Sequence, residues 1–219
     1  MDAYYLFIYL FHMPLFMFVS GYLSKNLEKR RNLAFEELFI PYVIFQVVVG
    51  GLFLVTTHSA EALSNILIPQ FGAWYLISLF TFRVFMPNLI KIKYILPISI
   101  LINILACLSG NIGSVFGLNK SLGFFVFFLL GYYVTADKIE LLRKKINPII
   151  ATIILLVSLI IAVLVFSKCD YSVWLSILSR TADVSLFTDS LTAIFVHTIA
   201  LAVTIFLRFF CFDCCANKK

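Results

Sequence analysis

The stretch Phe11-His12-Met13-Pro14-Leu15-Phe16-Met17-Phe18-Val19-Ser20-Gly21-Tyr22 decides how the rest of the chain is read. It is apolar enough to cross a membrane, yet it carries a histidine, a serine and a tyrosine, which hydrocarbon rarely surrounds. At about 100° per residue, Tyr5, Tyr9, His12, Phe16 and Ser20 fall within an arc of about 80°. Leu6, Phe7, Leu10 and Phe18 occupy the remaining circumference. Such a helix turns Tyr, His and Ser towards protein neighbours or a wet cavity and its hydrocarbon towards lipid. Packing alone, with His12 bonded to an adjacent helix, is the simpler use of the same face.

The composition extends that reading to the whole chain. Of 219 residues, 62% are hydrophobic and 13% charged, which excludes an ordinary soluble domain. Apolar stretches near the length needed for a hydrocarbon core of about 30 Å lie at 4–23, 38–57, 73–90, 94–109, 121–136, 148–167 and 191–210. The predicted fold is all-α: a polytopic membrane helix bundle of about seven transmembrane helices, in contact with membrane lipid.

The net charge of +6 raises the question of a nucleic-acid partner, and the placement of the charges answers it. Lys25, Lys29, Arg30 and Arg31 lie in the first loop and Lys91 and Lys93 in the third. Lys138, Arg143, Lys144 and Lys145 lie in the fifth, and Arg208, Lys218 and Lys219 follow the last span. The alternate loops hold only Lys120, Lys168 and Arg180. By the positive-inside rule the odd loops and the C-terminus are cytoplasmic and the N-terminus outside. The basic residues therefore specify topology, and no nucleic acid is implied. An external N-terminus this close to a span, with no charged signal segment ahead of it, predicts a preceding helix that enters from the cytoplasm.

Individual residues sharpen or limit this picture. The first loop, Lys25 to Asn32, suits anchoring at an anionic leaflet and equally a phosphate-bearing ligand. Pro41 is expected in the first turn of span two, with Glu36 and Glu37 at the end where the helix dipole favours anions. Gly50-Gly51 would permit close helix approach or a bend, and Gly131 would serve packing. Trp74-Tyr75 reads as an interfacial anchor or as a platform for a sugar ring. Arg83 either snorkels to the surface or reaches into the bundle as a functional charge. The 138–145 segment reads as a short surface helix. His58 is placed at the outer interface, His197 in the outer half of the last span, and 168–190 forms the longest external loop. Cys211, Cys214 and Cys215 offer three thiols without a fourth ligand at zinc-site spacing, so no metal is expected.

Phe11 to Phe16, Ser20-Gly21-Tyr22, Ile40-Pro41-Tyr42, Trp74-Tyr75-Leu76 and Leu130-Gly131-Tyr132-Tyr133 together resemble the acyltransferase 3 family, nearest its fucose 4-O-acetylase-like branch. The order and spacing of the pieces match as well as their letters, over roughly residues 1–137. The resemblance implies a single membrane-embedded domain over 1–219 in the bacterial inner (plasma) membrane. It also implies transfer of an acetyl group from cytoplasmic acetyl-CoA to a hydroxyl of an extracytoplasmic glycan or lipid-linked sugar. Relatives have about ten spans, with an arginine and a catalytic histidine on a first helix that this sequence lacks, and further C-terminal helices. Where they often carry basic residues before the Leu-x-Ile-Pro-Tyr piece, this chain has Glu36 and Glu37.

O-acylation needs a base for the hydroxyl proton, and histidine titrates near working pH. His12 is the family-motif histidine present and the catalytic candidate. Tyr9 and Ser20 are expected to line the acceptor or acyl channel beside it, Trp74 and Tyr75 to contact the sugar, and Arg31 and Arg83 to face the CoA phosphates. A transporter or flippase-like carrier would also have an intramembrane arginine and a polar helix face. A non-catalytic remnant that only pairs with other membrane proteins is the third reading.

Overall fold

The computed structural model describes residues 2–57, 68–69, 72–108 and 115–145, together with 153, 157 and 160. All described elements are helical, with no strand among the described residues. Helix α1 runs Asp2–Leu23, α2 Leu27–Ala34, α3 Ile40–Thr57, α4 Ala73–Leu89, α5 Ile95–Leu108, α6 Leu118–Tyr133 and α7 Ala136–Lys145. Five of the expected spans are therefore helices at the expected places, and 138–145 lies in the short helix α7. All of the span at 148–167 but Ile153, Val157 and Ile160, the span at 191–210, the loop between them, His58, His197 and the C-terminal cysteines lie outside the described residues.

The first loop differs from expectation. Only Ser24 to Asn26 form the turn, and Asn26 caps α2 by accepting from the Lys29 N–H at 3.2 Å. Helix α2 then continues through a π-turn, Phe35–Phe39, directly into α3. Pro41 explains that turn, because it has no N–H for the Glu37 carbonyl and its ring crowds the same oxygen. The wider turn, with the Ile40 N–H bonded back to the Phe35 carbonyl, absorbs the defect without breaking the helix. Pro41 thus sits inside a continuous helix rather than in its first turn. Among the described residues this helix, Leu27–Thr56, is the one long and apolar enough to cross a membrane. Its 30 residues span about 45 Å, so the basic first turns extend well beyond a 30 Å hydrocarbon core.

Helix α6 is the core. Residues Phe124 to Leu129 are all buried, the pattern of a helix surrounded on every side. It packs on α4 through Trp74–Phe124 and Phe82–Phe128, and on α5 through the Asn103 amide, which donates to the Gly123 carbonyl at 2.5 Å. Against α1 it makes a reciprocal backbone contact. A Cβ at Gly21 would collide with the Phe128 carbonyl oxygen, and one at Gly131 with the Phe18 carbonyl oxygen. Lys25 closes the end of this pair by donating to the Val134 carbonyl at 2.5 Å.

Helix α3 touches its neighbours through a narrow stripe. Tyr42 and Gln46, one turn apart, are buried, whereas Val43, Ile44, Val47, Val48, Leu52 and Val55 are exposed. Tyr42 packs on Ala73 and Ile77, and Gln46 donates to the Ile68 carbonyl at 3.2 Å. Nothing approaches a Cβ built on Gly51, so no close helix contact forms there.

Gly131→Ala or Gly21→Ala is expected to force α1 and α6 apart and lower stability by about 1–3 kcal/mol. Gly51→Ala is expected to change it by less than about 1 kcal/mol. Unfolding of the detergent-solubilised chain, read by loss of compact fluorescence-detected elution on heating, checks the ranking.

Candidate functional site

The polar arc of α1 meets the N-terminal end of α4. Ser20 and Tyr75 share a hydrogen bond of 2.6 Å between their hydroxyls, joining residues 55 apart in sequence. The Phe16 ring stands edge-on to Tyr75 at 6.2 Å, and the His12 ring lies 4.6 Å from Phe16. His12, Phe16, Tyr75 and Ser20 therefore form one connected line, three of them spaced by single helical turns on α1. His12 is its exposed end and Ser20 its buried end. Tyr9 lies one turn further along α1, and its side chain is outside the described ones.

Trp74 holds Tyr75 from the other side. It is 2% exposed, stacked on Phe124 at 5.2 Å and edge-on to Tyr75 at 6.5 Å. The pair is thus built into the bundle rather than anchored at a water–lipid boundary. Gly117 makes that possible. It adopts a left-handed backbone, φ 62°, and a Cβ there would press on Trp74 Cβ at 3.0 Å. Its neighbour Phe116 takes φ 53°, a conformation strained for a non-glycine residue. The Lys120 ammonium lies 5.6 Å over the Trp74 ring.

Beneath this line two buried serines tie α4 to α6. The Ser78 and Ser121 hydroxyls lie 2.5 Å apart, and within reach of the Trp74 and Gly117 carbonyls at 2.6 and 2.9 Å, so two protons serve three contacts. Both are buried and bonded within the bundle, so the pair ties the two helices together. Ser78 and Ser121 carry no signal in the sequence, because their significance lies in contacts between helices.

Arg31 and Arg83 occupy a second location. Arg31 is exposed on α2. Arg83 is two turns beyond Tyr75 on α4, 8% exposed, and donates from Nη1 to Glu37 Oε2 at 2.8 Å. It therefore reaches into the bundle instead of snorkelling. Arg30 approaches the same oxygen at 3.7 Å. Arg83 Nε and the Tyr42 hydroxyl are the buried polar side-chain atoms without a hydrogen-bond partner among the described residues.

The described helices thus place an exposed histidine in ring contact with a line that ends in paired hydroxyls, and hold a guanidinium apart from it. The acyltransferase 3 family model, described as an acyltransferase domain, matches residues 1–218. The chain belongs to that family, whose members are generally membrane-embedded acyltransferases. No curated protein and no solved structure matches the chain.

Ser20→Ala and Tyr75→Phe are each expected to destabilise the protein, with a coupling of about 1 kcal/mol in a double-mutant cycle. Unfolding midpoints of the two single variants and the double variant provide the measurement.

Proposed function

We propose that the chain is a membrane O-acetylase of the fucose 4-O-acetylase-like kind. It moves an acetyl group from cytoplasmic acetyl-CoA to a hydroxyl of a cell-surface glycan or lipid-linked sugar. Its setting is the bacterial inner membrane, in a bundle of about seven spans with the N-terminus outside and the C-terminus cytoplasmic. The observation that carries this reading is the family match over residues 1–218. The connected His12–Phe16–Tyr75–Ser20 line supplies the site.

In the reaction the sugar oxygen forms a bond to the acetyl carbonyl carbon, the thioester C–S bond breaks and CoA leaves as the thiolate, which takes up the proton that the hydroxyl loses. His12, exposed at the end of the line, takes the hydroxyl proton; its neighbour Phe16 fixes the imidazole from one side. Tyr75 contacts the sugar, with Trp74 locked beneath it, while Tyr9 and Ser20 line the path of the acceptor. Tyr75 is pre-oriented because Ser20 already holds its hydroxyl. Arg31 and Arg83 take the CoA phosphates, for which guanidinium is suited by its forked donors.

The test is expression in a host that makes the acceptor glycan, with O-acetyl groups measured on that glycan. His12→Ala is expected to lower acetylation by about 10²- to 10⁴-fold, the usual effect of losing a proton acceptor. Tyr75→Phe is expected to lower it less, through misplacement of the acceptor. Acetylation that is absent from the wild-type strain, or unchanged in His12→Ala, overturns the assignment.

A further inference from the structure

Arg83 is an incompletely used group in a costly place. Its guanidinium is nearly enclosed by protein, and a buried N–H without an acceptor is costly. Glu37 engages it at a single point, Oε2 to Nη1 at 2.8 Å, and leaves Nε without an acceptor. A carboxylate that filled the site would take two parallel N–H bonds. Glu37 is also the loosely held partner: it is 41% exposed, whereas the Arg83 side chain is 9% exposed. The same Oε2 lies 3.7 Å from Arg30 Nη1, so a second cation stands ready to receive it. The backbone beneath Glu37 is itself irregular, lying in the π-turn whose carbonyl Pro41 leaves without the helical N–H.

We propose that Glu37 is a resident counter-ion which a phosphate-bearing ligand displaces from Arg83, turning to Arg30 as the phosphate takes over the guanidinium. The phosphate accepts from Nε as well as the Nη groups and so uses the donor that Glu37 leaves idle. Lys29, Arg30 and Arg31 add the positive field that draws such a ligand to this end of α2. Empty, the site keeps its buried charge balanced and turns away weak monoanions. Glu37 thereby selects for polyanionic phosphate. The inference rests on the assignment of Arg83 to the phosphates of the donor.

The full chain in lipid nanodiscs is titrated with two probes, CoA and inorganic pyrophosphate. Glu37→Gln is expected to tighten both about tenfold, the scale of one charge-assisted hydrogen bond no longer competed for. Glu37→Asp, whose shorter side chain keeps the charge but loses reach, is expected to give a smaller gain and guards against misfolding of the amide variant. Arg83→Gln is expected to weaken both probes, and in that background Glu37→Gln is expected to give no gain. A gain that persists without Arg83 means general charge removal and overturns the inference, as does unchanged or weaker binding in both Glu37 variants. Tighter pyrophosphate binding in Glu37→Gln with no CoA binding by any variant upholds the counter-ion and defeats the donor assignment. CoA binding that ignores Glu37 does the reverse.

Discussion

The contact on which the bundle depends is backbone against backbone, where α1 crosses α6. Gly21 accepts the Phe128 carbonyl and Gly131 the Phe18 carbonyl, so each helix supplies the gap that the other fills. Between helices in lipid there is little hydrophobic gain, because the tails are as apolar as leucine, and close packing must supply the attraction. This crossing sets the distance between α1 and the rest. Ser20 precedes Gly21 by one residue, so its bond of 2.6 Å to Tyr75 inherits the same spacing. Any residue that widened the crossing would also pull the histidine-bearing face from α4.

Several buried or half-buried polar side chains among the described residues follow two patterns, and two buried atoms fit neither. Ser24, Ser78, Thr81 and Ser121 each return their hydroxyl to the carbonyl four residues back, which satisfies the donor within its own helix. Asn103 and Gln46 instead reach carbonyls on other segments and so act as ties. The Tyr42 hydroxyl and Arg83 Nε stand outside this scheme among the described residues. Both belong to the junction of α3 and α4 rather than to the α6 core. The least saturated part of the molecule is therefore the part that holds its buried cation.

Much of this was legible in the sequence, for a physical reason. Only helices satisfy their own backbone in hydrocarbon, so apolar length alone located α1, α3, α4, α5 and α6. The polar arc of α1 was equally legible, because angular spacing is a property of one helix. Periodicity does not reveal relations between helices: that Tyr75 is the partner of Ser20 and Phe16, and that Gly131 meets Gly21. The helical state of Leu27 to Ala34 was missed because a run of basic residues between apolar stretches has the composition of a loop. Glu37 was read as a partner for the helix dipole. Its real partners, Arg83 and Arg30, became visible only once the π-turn had rotated it towards α4.

The uninterrupted run from Leu27 to Thr56 has a mechanical consequence. A basic surface helix joined to a span by a flexible loop would move independently of it. Here the two are one shaft, jointed at the π-turn and meeting α4 through Glu37 on Arg83, Phe39 on Phe80 and Tyr42 on Ala73 and Ile77. Arg30 and the Tyr42 contact with Ala73 and Ile77, next to Trp74 and Tyr75, therefore lie on one continuous helix. The region that meets charge and the region that carries the histidine line are geared together by covalent structure.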